Sequence, residues 1–413
     1  MAQIYPFQPY RYTGKAGPLA SLVTQPYDKI TPQMRERYLS LSPYNLVRVI
    51  LGERFPSDSE TDNVYTRAAG HLNDWISTGI LAQDEEPGLF AYFQEFTSPD
   101  TGARLLRKSF IGLGAVEDYS EGTVYPHERT LTGPKQDRLE LLRHTRAHAG
   151  QLFMLYSDPQ GEIDGILDEA AQAAPPIEVA DEYQALHRLW KISDAPRIAR
   201  IRELMAGQRL LIADGHHRYE TALAFRNQNP DMEGARKVMM TFVNMHSAGL
   251  TILATHRVVH SLNQFDAGAF LRAAGERWQV APLESLDGLR RAWAEARPGY
   301  VRIGVALWGG LYLLEAAREP DALDVGFLHQ TVLEGLLGLD EAGIREQRNL
   351  RYVRGLDAAQ EQVRSRTAQA AFLLQPVPVS EVARIAFAGG VMPQKSTDFY
   401  PKLLSGLAIY KAG

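Results

Sequence analysis

Apolar positions in this chain recur at two spacings, and the spacing sorts the segments. Val64, Ala68, Leu72, Trp75 and Ile76 follow one another at helical intervals after Asn63, and Gly79 ends the run. Residues 195–206 read as another helix. Thr31-Pro32 has the form of an N-cap followed by proline at the first helical position. Short apolar or aromatic runs predict strands at 21–24, 46–51, 89–96, 107–116, 151–156, 183–192, 237–245 and 251–259. A helix opened by Thr132-Gly133-Pro134 is expected to carry Leu139, Leu142 and Ala147 and to stop at Gly150. Further on, Gly309-Gly310 is a hairpin turn between strands 302–308 and 311–314, and helices are expected at 267–277, 285–296, 358–368 and 379–388. Strands alternating with helices predict an α/β (α+β) protein with mixed sheets and flanking helices. Three sections are expected: an N-terminal α/β section over 1–107, a central module over 108–262 and a C-terminal α/β section over 263–413.

Composition narrows the function classes. The chain has 413 residues, 45% hydrophobic and 23% charged, with a formal net charge of −5. No long basic stretch appears, which argues against nucleic acid as a partner. Small anions need only a few local cations and stay open as ligands. No cysteine is present, so disulfides, thiolate metal sites and cysteine nucleophiles are excluded. The N-terminus lacks the pattern of a signal peptide, and no apolar run has the length of a membrane span. These features fit a cytoplasmic protein without a membrane partner, and leave room for a homo-oligomer.

The most informative stretch is Leu210-Leu211-Ile212-Ala213-Asp214-Gly215-His216-His217-Arg218-Tyr219. A short apolar strand ends at Asp214, and a helix-forming segment starts within three residues. The free N–H groups of a helix start bind anions. Gly215 allows close backbone approach, Arg218 offers a planar fork for phosphate oxygens, and His216 and His217 can donate to them. The same turn is also compatible with a solvated surface loop. Asp214 stands where a carboxylate holds Mg²⁺ or a substrate hydroxyl, or simply caps the helix. Zinc is disfavoured, because adjacent histidines diverge and no H-x-x-x-H pattern is present.

Two other segments carry candidate chemistry. Glu128, between His127 and Arg129, can serve as a general base if it reaches a substrate hydroxyl, although spacing alone favours an exposed loop glutamate. Near the C-terminus, Lys395, Ser396, Thr397 and Lys402 form a candidate phosphate pocket without the glycine spacing of a P-loop. Residues 392–402 are expected to fold back onto the central module with Phe399 and Tyr400 as anchors. Replacing either lysine by alanine is expected to leave folding intact.

The phrase Ala213-Asp214-Gly215-His216-His217-Arg218-Tyr219 resembles the signature of the bacterial and archaeal family called domain of unknown function ten-fifteen. Gln25-Pro26-Tyr27-Asp28, His127-Glu128-Arg129-Thr130, Thr255-His256-Arg257 and Met392-Pro393-Gln394-Lys395-Ser396-Thr397 agree with it. The central section is also similar, more distantly, to ParB/sulfiredoxin-fold proteins, and among them to free-serine kinases. That resemblance implies a nucleotide-dependent phosphotransferase using ATP or ADP with Mg²⁺ on a small hydroxyl-bearing metabolite such as serine. It implies Glu128 as the base, Asp214 as a catalytic and metal-holding carboxylate, and residues 215–218 on the phosphates. Sulfiredoxin chemistry is excluded, since His216 stands where its cysteine is needed. The acidic residue that the family carries near Ser247 is also missing here. A non-catalytic nucleotide sensor and a phosphohydrolase are the competing readings.

Overall fold

The computed structural model describes every residue except 1, 129–131, 296, 319–322 and 394, and only the backbone of 132–134. Arg129, Thr130 and Gln394 of the phrases above therefore lie outside the described residues. The fold is mixed α/β, built on two principal sheets. The larger has nine strands: Ile4–Tyr5 (β1), Leu89–Thr97 (β2), Arg104–Ala115 (β3), Val124–Tyr125 (β4), Leu152–Tyr156 (β5), Ile177–Ala180 (β6), Leu186–Ile192 (β7), Leu210–Asp214 (β8) and Lys237–Asn244 (β9). Their spatial order is β4-β8-β5-β9-β3-β2-β7-β6, with β1 added beside β3. Pairing is parallel between β4 and β8 and between β5 and β9, and antiparallel elsewhere.

Both faces of this sheet are covered, so its strands are apolar nearly throughout. Leu89, Ala91 and Phe93 of β2 point to one face, against Ile163 and Leu167 of helix Glu162–Ala173 and Ile201 and Met205 of helix Ala195–Ala206. Phe90 and Tyr92 alternate to the other face, as the period of two demands. There they meet Val382 and Ala386 of helix Val379–Phe387, and then Phe399, Leu403, Leu404 and Leu407 from the end of the chain. Each of these large side chains contributes about 1.5–3 kcal/mol by burial. The last residues are thus part of the first unit's core, which decides where Lys402 lies.

The second sheet is antiparallel: Thr255–Val259 (β10), Gln279–Leu283 (β11), Tyr300–Leu307 (β12), Gly310–Ala317 (β13), Leu350–Arg354 (β14) and Ala370–Leu373 (β15), in the order β11-β13-β12-β15-β10-β14. A short ladder of Thr251–Leu253 with Asp398–Tyr400 sits next to β10 in the chain and brings the tail into register beside it. The larger sheet runs across residue 107, because β2 and β3 form one hairpin, and β10 pairs within the second sheet.

Several expectations need correction. Residues 46–51 form no strand: Val47–Ile50 is a helical turn with Val47, Val49 and Ile50 all buried, Val49 and Ile50 in one cluster with Leu72 and Trp75 of helix Val64–Ser77. A run of six apolar residues is too short to show a period. Residues 21–24 are a 3₁₀ turn at Leu19–Ser21 and one bridge from Thr24 to Ser405. The run 251–259 breaks at Ala254 into strands of two different sheets. The helix Thr132–Thr145 ends before Gly150, with Ala147–His148 pairing to Tyr410–Lys411.

Candidate functional site

Strand β8 is buried up to Ala213 and delivers Asp214 at the sheet's end. Gly215 then takes φ +99°, a left-handed conformation open to glycine, and helix His216–Gln228 begins at once. A Cβ at this position would lie 2.9 Å from Leu152 Cδ2 and 3.2 Å from Arg218 Cζ. Gly215→Ala is therefore expected to cost about 1–3 kcal/mol, the scale of a forced backbone outlier. Chemical denaturation checks this, and a loss within ~0.5 kcal/mol would show that the turn tolerates a side chain.

Asp214 does not cap the helix. Its Oδ2 accepts from Arg218 at 2.7 Å, and its Oδ1 accepts from Lys402 Nζ at 3.2 Å. Lys402 also forms an ion pair with Asp398 Oδ1 at 3.2 Å, and Arg354 completes the row with a two-nitrogen contact to Asp398. The result is an alternating chain of Arg218, Asp214, Lys402, Asp398 and Arg354, with Lys402 only 7% exposed. Burial alone would raise the Asp214 pKa, but Lys402, Arg218 and Lys29 outweigh it and hold the carboxylate far below the usual range. The Lys402 ammonium is depressed by burial and raised by Asp214 and Asp398, which win.

The tail that presents Lys402 is held by buried polar groups of the sheet. Arg107, fully buried, donates to the Tyr400 carbonyl at 3.0 Å and to that of Pro401 at 2.5 Å. Gln94 donates to the Lys402 carbonyl at 2.9 Å. Arg257, from the Thr-His-Arg phrase, donates to the Lys395 carbonyl at 3.2 Å.

Glu128 reaches the same place from the β4 side. A single backbone bridge pairs it with Met392, whose N–H donates to the His127 carbonyl at 2.8 Å. His127 donates from Nδ1 to the Ile212 carbonyl at 2.7 Å, which leaves Nε2 to accept from the Thr397 hydroxyl at 2.7 Å. Burial pushes this imidazole down to about 4, so it is neutral. His216 packs edge-on against it at 4.7 Å, and its Nε2 accepts from the His127 N–H at 3.3 Å. Burial, and then the neighbouring His127, keep His216 far below its ordinary value; burial also lowers His217. The doublet brings no charge to the site at neutral pH. The Glu128 side chain keeps 21% of its surface. Burial raises it most, Lys395 opposes and Asp214 reinforces, and the carboxyl is pushed up to about 7.

These groups line one cleft of about 570 Å³ between the two sheets. Glu128, Asp214, Gly215, His216, His217, Arg218, Lys395, Thr397 and Lys402 all face it. Ser396 does not: it is buried and donates to the Pro393 carbonyl at 2.6 Å. Lys135 lies outside the cleft's lining and pairs with Glu220 at 2.5 Å. Sequence reasoning overlooked Tyr27, Asp28 and Lys29, although the Gln-Pro-Tyr-Asp phrase was a pointer to them. It also overlooked Arg345, Gln347, Tyr352, Arg354 and Asp398, which no local pattern marks. Among the described residues, six cationic side chains and four carboxylates line the cleft, in a chain whose net charge is −5. No three His, Asp or Glu side chains among the described residues converge as a metal cage, and both Asp214 oxygens already accept from cations. A Mg²⁺ at Asp214 would therefore be held mainly by a ligand's phosphates and water rather than by a protein cage.

Comparison with solved structures finds remote likenesses. A free serine kinase mutant in complex with AMP is 13% identical, with TM-score 0.38 over 69% of this chain and 89% of that one. A conserved hypothetical protein from Pyrococcus furiosus is 14% identical, with TM-score 0.36 over 70% and 92%. SbnI from Staphylococcus aureus, truncated at its C-terminus, is 12% identical, with TM-score 0.35 over 72% and 87%. No curated protein matches the sequence, and no helix among the described residues is long and apolar enough to cross a membrane. The family model described as Protein of unknown function (DUF1015) matches residues 4–358, and the chain belongs to that family.

Proposed function

We propose that the protein binds a nucleotide, ATP or ADP, by its phosphates in this cleft and transfers a phosphoryl group to a small hydroxyl-bearing metabolite, with free serine the first candidate. One observation carries the reading: a carboxyl poised near neutrality, Glu128, shares a cation-rich cleft with a strand–glycine–helix turn. Phosphoryl transfer asks mainly for positioning and charge stabilisation. The N–H groups at the start of helix His216–Gln228 and Arg218 would hold the phosphates. Lys29, Lys395 and Arg345 would meet the charge on the transferring and leaving oxygens. Glu128 would take the proton of the acceptor hydroxyl as its oxygen bonds to phosphorus and the bond from phosphorus to the leaving nucleotide oxygen breaks. A nucleotide sensor would have no use for a carboxylate of this kind among the cations, which favours catalysis.

The test is turnover of purified protein with labelled ATP and, separately, labelled ADP against amino acids and small alcohols. Transfer to a hydroxyl compound supports the reading. Nucleotide binding without transfer to any acceptor would favour the sensor, and phosphate release to water the hydrolase. Arg218→Ala should weaken nucleotide affinity by ~1.5–3 kcal/mol, the scale of a lost charged hydrogen bond. Calorimetry showing unchanged affinity in a folded variant would remove the phosphate role of the turn.

A further inference from the structure

A second cavity adjoins the charged cleft and has a different character. It is walled by Pro26, Val49, Ile50, Leu141, Leu142 and Leu152, holds about 80 Å³, and shares Tyr27 and Arg218 with the cleft. We infer that this pocket receives a flat heteroaromatic ring, the base of the nucleotide whose phosphates the cleft holds; the inference rests on the function proposed above.

Three observations support it. The first is size. At roughly 10–15 Å³ per water by this measure, the space takes about six waters, the room of one bicyclic ring. The second is chemistry. The lining is mostly apolar, and its polar groups include the His148 imidazole and the Ser405 hydroxyl. His148 stacks on Tyr410 at 6.0 Å and 10°. Burial pushes it down to about 4, so it is a neutral ring with one donor and one acceptor. An apolar slot with a few convergent polar groups is the usual form of a small-molecule site.

The third is order. Glu128 and Lys395 line the cleft only, whereas Arg218 lines both spaces. A Cβ at Gly150 would sit 3.3 Å from Ser405 Oγ and 3.4 Å from an Arg218 nitrogen, so hydroxyl and guanidinium flank the same point. A ligand seated in the pocket and extending into the cleft would therefore pass Arg218, which lines both, on its way to Glu128. That is the sequence base, phosphates, acceptor. It also gives a role to the Pro26-Tyr27 pair, which the phosphate chemistry leaves unused.

Calorimetry with ADP, adenosine and inorganic pyrophosphate decides it. Wild type should bind ADP at least ~10-fold more tightly than pyrophosphate. His148→Ala, and separately Ser405→Ala, should each weaken ADP and adenosine by about 5–10-fold while leaving pyrophosphate unchanged, the scale of one hydrogen bond. Retained pyrophosphate affinity also shows that each variant is folded. Equal wild-type affinity for ADP and pyrophosphate, or unchanged ADP affinity in both variants, would overturn the base pocket and leave the anion cleft standing. Failure of wild type to bind either ligand would overturn both.

Discussion

Glu128→Gln is expected to lower turnover by about 10²–10⁴-fold while nucleotide binding persists. Glutamine keeps the size and polarity of the side chain and cannot take a proton. The ionised carboxylate is the working form, and burial pushes its pKa up to about 7. Wild-type kcat/KM should therefore rise with pH through about 7, and the residual activity of the variant should lose that limb. Stability should move the other way. A carboxyl whose folded pKa is raised contributes stability at low pH and loses it as pH climbs through the folded value. The glutamine variant should melt above wild type at pH 8, and the gap should close toward pH 4. Wild-type turnover in this variant would reject the assignment, and an unchanged pH profile would reject the pKa.

The second large effect is structural. Lys402→Ala should destabilise the fold by about 3–5 kcal/mol, the scale of removing one member of a buried ionic pair. Without the ammonium, Asp214 and Asp398 face each other across a buried gap, each left with a single arginine. Lys395→Ala should leave denaturant midpoints unchanged, because that side chain is exposed. The two lysines therefore differ, whereas the sequence pattern had suggested that both could be removed without harm to folding. Denaturant unfolding measures both variants, and a Lys402→Ala loss below ~1 kcal/mol would show that the ionic row carries little weight.

Much of this was legible where local chemistry is strong. Asn63 and Asp194 cap helices Val64–Ser77 and Ala195–Ala206 with side-chain acceptors, and both helices begin where the sequence placed them. Gly309-Gly310 turns the hairpin of β12 and β13. The Asp-Gly-His-His-Arg turn could be placed because a strand, a left-handed glycine and a helix follow one another within a few residues. Helix Glu162–Ala173 went unread although Ile163, Leu167 and Ala170 keep its period. The site's remaining cations were out of reach for another reason. Lys29, Arg345 and Arg354 belong to segments with no periodic relation to residues 214–218, and only the packing of the chain's end against two sheets assembles them. The neutral state of His216 is equally non-local, since it depends on burial by distant segments and then on His127, 89 positions away.

The cleft draws its charge from two sides. Arg218 and Lys29 belong to the first sheet's unit, Arg345 and Arg354 to the second. An anion between them is gripped by both, and part of its binding free energy is spent holding the sheets together. The ligand thus acts as mortar as well as cargo. With the ionic row alone bridging it, the seam is where amide exchange should begin.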